Sequence, residues 1–234
     1  MRLRLFAPQR NILRSEVHPV VPGIDVSHFQ RAVDWTAVAG SEIRFCFIKA
    51  TEGAANVDPR FIQNWRGAGA AGLLRGAYHF FHPAVPAATQ AESFIRAVVR
   101  LEPGDLPPVL DLEVPAAWAN IAQSARAPLA IQWLETVESR LGATPIVYLS
   151  PAFAIEILKN APALARFPVW LAHYTDAAAP DIANPWTSWT FWQYTREGKT
   201  PGVSLPVDLD RFNGSLDDLK TLAVKPRPSP GGSH

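Results

Sequence analysis

Pro107-Pro108-Val109-Leu110-Asp111-Leu112-Glu113 is the stretch where residue type and spacing most directly define a chemistry. On an extended strand, side chains alternate in direction, so Asp111 and Glu113 share one face and Leu110 and Leu112 the other. Their Cα atoms then stand about 6.6 Å apart. Two carboxyl groups this close, partly dehydrated, repel each other when both are ionised. One of them should keep its proton beside an ionised neighbour. Cleavage of a glycosidic bond uses that combination: an acid for the leaving oxygen and a negative charge for an oxocarbenium-like centre.

Other short apolar runs also end in polar or ionisable residues: Asp25, Lys49 with Glu52 beyond it, His79, His173, Gln193 and Asp208. Asp25 and Asp208 close the first and last of these runs. The aromatic residues Tyr78, Tyr148, Trp170, Tyr174, Trp192 and Tyr194 lie near the same ends, where they would suit either a core or a wall for stacking sugars.

The elements needed to position these residues can be read around them. The spacing predicts strands over Gly23–Val26, Phe45–Lys49, Gly76–Phe80, Val109–Glu113, Ile146–Leu149, Val169–His173, Thr190–Tyr194 and Val207–Leu209. Helices are predicted over Pro59–Ala70, Ala88–Val99, Pro128–Leu141 and Pro151–Leu158, three of them opening on a proline. Gly72 and Gly142 sit where helices should stop. Strands apolar on both faces, separated by helices, favour a parallel sheet. The fold class is therefore α/β: a single irregular TIM-like β/α barrel with eight strands and fewer than eight helices, since little sequence separates the last three strands. In such a barrel the strand ends converge on the active site. Residues 1–21 read as an N-terminal arm, 22–222 as the barrel and 223–234 as a disordered Pro/Gly-rich tail.

Composition narrows the class. The chain has 234 residues, 48% hydrophobic and 18% charged, enough apolar material for a sizeable core. Lys+Arg 22 against Asp+Glu 21 leaves a net charge of +1, so no global field points to nucleic acid or an anionic membrane. No run approaches the roughly 20 apolar residues of a membrane span. Residues 1–8 have a basic start but no apolar h-region of a standard signal peptide. The single cysteine, Cys46, lies in the run Arg44-Phe45-Cys46-Phe47-Ile48 and reads as a buried structural thiol.

A set of motifs in order, from about Pro22 to Leu219, resembles the glycoside hydrolase family 25 lysozymes, the N-acetylmuramidases. They are Gly23-Ile24-Asp25-Val26-Ser27-His28-Phe29-Gln30 with Val33-Asp34-Trp35, and Phe47-Ile48-Lys49-Ala50-Thr51-Glu52-Gly53. Asp58-Pro59-Arg60-Phe61, Arg75-Gly76-Ala77-Tyr78-His79-Phe80, Leu110-Asp111-Leu112-Glu113, Trp192-Gln193-Tyr194 and Val207-Asp208-Leu209 complete the series. The resemblance implies an irregular barrel that hydrolyses the β-1,4 bond between N-acetylmuramic acid and N-acetylglucosamine in peptidoglycan. It implies Glu113 as proton donor, Asp111 as partner carboxylate, and Asp25 and Asp208 as further acidic residues of the cleft. Substrate-binding roles are expected of Tyr78, His79, Tyr148, Trp170, Trp192 and Tyr194. No cofactor or metal is expected. The expected partner is the peptidoglycan glycan strand, met by a monomer at the bacterial cell wall, without nucleic acid or membrane. No cell-wall-binding repeat follows residue 220.

Two other chemistries use the same positions. Asp25, His79, Asp111, Glu113, His173 and Asp208 offer oxygen and nitrogen ligands for a divalent ion, although no His-x-His or His-Glu-x-x-His spacing is present. A barrel that only binds glycans would need the aromatic wall but not the intact carboxyl pair.

Overall fold

The computed structural model describes residues 19–225. Its strands are β1 (Val20–Val26), β2 (Phe45–Glu52), β3 (Asn56–Val57), β4 (Leu74–Phe80), β5 (Val109–Asp111), β6 (Ile146–Leu149), β7 (Val169–Ala172), β8 (Phe191–Gly198) and β9 (Val207–Asn213). The helices are α1 (Trp35–Ala39), α2 (Phe61–Ala70), α3 (Ala87–Val98), α4 (Gln123–Leu141), α5 (Pro151–Glu156) and α6 (Leu216–Leu222). Eight strands close a barrel in the order β1-β2-β4-β5-β6-β7-β8-β9, and β9 returns to β1. Strand β3 only folds back on the end of β2.

All eight expected strands are present, but the sheet is not wholly parallel. β9 runs antiparallel to both of its neighbours, β8 and β1. The eight residues between β8 and β9 leave no room for a crossover helix, so the chain returns by a hairpin-like turn. This reversal changes how Asp208 reaches the rim. It lies at the start of β9, and the start of a reversed strand meets the ends of the parallel ones.

Alternation sorts the side chains into two layers. Phe45, Phe47, Val109, Ile146, Trp170, Phe191 and Phe212 fill the barrel interior. Ile24, Val26, Ile48, Leu110, Leu112, Val147, Leu149 and Leu171 face outwards onto Phe61, Phe94, Trp133, Leu134 and Phe153 of the helices. Cys46 belongs to this outer layer, fully buried, and burial pushes its thiol well up. The interior is aromatic: Phe47 stacks on Trp170 at 4.6 Å and meets Phe191 edge-on at 5.1 Å. Gly23 is required by this filling, because a Cβ there would lie 2.2 Å from the Phe45 ring.

Several boundaries move. β5 stops at Asp111, so Glu113 stands just beyond the strand, after one more ladder bond from Leu112 N–H to the Tyr148 carbonyl at 2.9 Å. Helix α4 starts five residues before Pro128, which sits inside it at the cost of one backbone bond. Short α1 and α6 have too few turns for a readable period. Gly142 ends α4 with φ of +73° and Gly72 follows α2 with φ of +79°, as their places in the sequence require. Strand β1 takes in Val20 and Val21 from the expected arm, and Val224 bonds to Gly104 and Asp105 rather than belonging to a free tail. The remainder of the arm, residues 1–18, and of the tail, 226–234, lies outside the described residues.

Candidate active site

Asp25 and Asp208 are direct register partners across the β1–β9 seam, and both point into the barrel mouth. Asp111 and Glu113 reach the same mouth from β5, which stands four strands from β9 whichever way the barrel is counted. The two acidic pairs therefore face each other across a cavity of about 220 Å³. Tyr78, Tyr148, Trp170, Tyr174, Gln193 and Arg196 complete its lining.

Burial and mutual repulsion leave these carboxyls short of charge. Asp111 is 4% exposed, and desolvation, followed by the charge of Glu113, pushes it well above the usual carboxylate range. Glu113 is raised too, by desolvation, against the lowering influence of the neighbouring Asp111 carboxyl. The pair thus holds a proton between an exposed carboxyl and a buried one. Asp25 is raised well above the usual range by burial, then by Asp208 and Asp210. Asp208 is raised to about 6 by desolvation, against the lowering influence of its hydrogen bond to Asp25. Next to Glu113, Val114 holds φ at +57°, a left-handed conformation that a β-branched residue rarely adopts.

Gln193 organises the wall. Its amide donates to Asp25 Oδ2 at 2.7 Å, while its Oε1 accepts from Tyr148 at 2.9 Å and Tyr174 at 2.7 Å. Trp170 donates through Nε1 to Asp210 Oδ1 at 2.9 Å, and Tyr148 meets it edge-on at 4.6 Å. Asp210, 1% exposed, has its other oxygen buried without a hydrogen-bond partner among the described residues. Burial and then Asp208 push it well up as well.

The four expected catalytic carboxyls are brought together, and so are Tyr78, Tyr148 and Trp170. His79, Trp192 and Tyr194 are not. Each is one residue out of step with an inward side chain and so faces away from the mouth. His79 is fully buried against Trp133 at 5.3 Å; Thr51 donates to its Nδ1 at 2.7 Å and its Nε2–H meets Gln90 Oε1 at 3.1 Å. Trp192 donates to the His173 carbonyl at 2.7 Å, and Tyr194 lies under the Arg211 guanidinium at 4.3 Å. The nitrogen ligands of the metal-site reading also disperse. His79 points outwards and His173 accepts from the Asp181 amide at 3.0 Å. Among the described residues no group of three or more His, Cys, Asp or Glu is arranged to hold a metal ion. Gln193, Tyr174, Asp210 and Arg196 complete the site. The first two were legible as a strand-end amide and a member of the aromatic set. Asp210 was readable from its spacing of two from Asp208, whereas nothing local marked Arg196.

A closed β/α barrel with opposed carboxyl pairs at its mouth has the architecture of a carboxylate glycosidase. The model of the glycosyl hydrolases family 25 matches residues 24–203, and the chain belongs to that family. It is similar to the YegX protein of Escherichia coli O6:H1, at 41% identity over 86% of this chain and 72% of that one. Similarity to "Lysozyme M1" of Streptomyces globisporus is 34%, over 87% and 71%. The crystal structure of the bacterial lysozyme from Streptomyces coelicolor superposes with a TM-score of 0.83 at 33% identity, over 87% of this chain and 96% of that one. The chain is thus a glycoside hydrolase of the lysozyme type.

Proposed function

We propose that the protein is a muramidase acting on the bacterial cell wall as a monomer. It hydrolyses the β-1,4 bond from N-acetylmuramic acid to N-acetylglucosamine in peptidoglycan. The observation that carries the assignment of roles is the asymmetry of the Asp111–Glu113 pair: Glu113 is open to the cleft and Asp111 is buried beneath it. Glu113 gives its proton to the glycosidic oxygen as the bond to the muramic C1 breaks, and water completes the hydrolysis. Asp111 holds that proton in place beforehand and takes part in balancing the positive charge that develops on the sugar. Asp25 and Asp208 supply negative charge from the opposite wall. Tyr78, Tyr148 and Trp170 form the surface on which the sugar ring rests. The names of relatives support the substrate: besides "Lysozyme M1", an "N,O-diacetylmuramidase" of Chalaropsis is 32% identical over 87% of this chain.

The test is release of reducing ends from purified peptidoglycan, with mass spectrometry to show which sugar carries the new end. Glu113→Gln is expected to lower the rate by about 10²–10⁴-fold, the usual cost of losing a positioned general acid. The amide is nearly isosteric, so the melting curve should stay close to that of the parent. Near-normal turnover by the folded variant, or a new reducing end on N-acetylglucosamine, would refute the reading.

A further inference from the structure

The acid well does not end at Glu113. It opens into a groove of about 710 Å³ along the ends of β6 and β7, and Glu113, Tyr148, Tyr174 and Arg196 line both spaces. The groove has an apolar character the well lacks: Val114, Ile155 and Ile182 line it while 47%, 50% and 42% exposed. Exposed aliphatic surface gathered beside a catalytic acid marks a place for an apolar part of a ligand.

Among the described residues, Arg196 is the only lysine or arginine that lines either space. It projects from β8 over the mouth, with its guanidinium 5.9 Å from the centre of the Tyr174 ring. Among the described residues it takes part in none of the ion pairs. Its charge is felt at Asp208, yet no carboxylate closes on it. A guanidinium without an ion-pair partner among the described residues, held at the junction of a sugar well and an apolar groove, matches a carboxylate on the substrate. Glu156 and Asp181 line the groove too and repel an anion, so Arg196 is the contact such a group would find.

Muramic acid differs from its partner sugar by a lactyl ether on O3, which ends in a carboxyl either free or joined to a short peptide. With the muramic C1 beside Glu113, that arm must leave the well through an adjoining space. We propose that the groove beside β6 and β7 receives the O3 substituent of muramic acid, Arg196 pairing its carboxylate and Ile155 and Ile182 packing its apolar part. This assignment rests on the muramidase reading. It makes Arg196 a specificity-determining residue, separating muramic from glucosamine sugars on the correct side of the scissile bond.

The experiment compares Arg196→Gln with the parent on three soluble glycan preparations. One carries stem peptides, one is stripped of them to bare lactyl carboxylates, and one has every carboxyl converted to an amide. Loss of one charged hydrogen-bonded contact is expected to cost at least tenfold in kcat/KM, mainly through KM. Loss on peptide-bearing strands alone identifies a peptide carboxylate, and loss on stripped strands identifies the lactyl carboxylate. On amidated strands the variant should lose several-fold less than on the carboxylate-bearing strands, keeping only the effect of the missing charge on Asp208. Equal loss on all three preparations, or loss on none, overturns the proposal. If the parent protein releases reducing ends from none of them, the muramidase reading itself has failed and this assignment falls with it.

Discussion

Asp111 and Glu113 lie on one side of the barrel mouth, and this geometry bears on how the glycosidic bond is attacked. Carboxyls at alternate positions of one strand approach the sugar from the same side, whereas a direct nucleophile must come from the opposite face. Asp208, on β9, does stand across from them, but with a pKa raised to about 6 and a hydrogen bond to Asp25 it is a weak nucleophile in acid. We therefore expect the substrate's own acetamido oxygen to attack, oriented by a carboxyl of the cluster, with retention at the anomeric carbon. NMR of the first-formed product should show the β anomer, and de-N-acetylated glycan should be a poor substrate. Inversion, or undiminished cleavage without the acetamido group, would remove this mechanism and leave the glycosidase assignment intact. The carboxyl set was legible because chemistry depends on residue type at a strand end. Arg196 was not, because an arginine three residues past Gln193 resembles any solvent-exposed charge until the β7–β8 neighbourhood is folded around it.

At the level of elements, a shift of one position along a strand decides between a wall of the cleft and a core residue. His79 illustrates this: Tyr78 faces the mouth, and His79 turns into the layer between barrel and helices. Burial pushes its imidazole down to about 4, so it stays neutral at ordinary pH. His79→Ala should cost about 2–4 kcal/mol of stability, through a cavity beside Trp133 and the unpaired Thr51 and Gln90 groups. KM should stay unchanged in the fraction that remains folded. A raised KM with a normal melting temperature would return His79 to the sugar site. Strand positions were readable because both-face burial leaves continuous apolar runs. Strand direction was not, since Val207–Leu209 reads the same whichever way it is laid against its neighbours.

For the whole molecule, the carboxyl cluster sets a pH dependence of stability. Asp25, Asp111, Asp208 and Asp210 all bind protons more tightly folded than unfolded. Their contribution is complete below about pH 4, where unfolded aspartates are also protonated, and is lost as pH rises through the folded values, for Asp208 about 6. His79 acts in the opposite sense: its contribution is complete above about 6.5 and lost as pH falls through about 4. Comparison of single variants isolates one group. Asp210→Asn keeps an acceptor for Trp170 and removes a buried carboxyl that must ionise at high pH. Its melting temperature relative to the parent should therefore rise steadily between pH 4 and pH 8. A difference that is flat, or that falls with pH, would contradict the burial of Asp210 as a protonated group.

The antiparallel seam has one more consequence. Val20 at the start of β1 pairs with Asn213 at the end of β9, and Val224 is pinned beside Gly104. Both points where the chain enters and leaves the barrel are thus on its floor, the end away from the carboxyls. A label or surface linkage made at residue 19 or 225 would therefore attach at the face opposite the carboxyls.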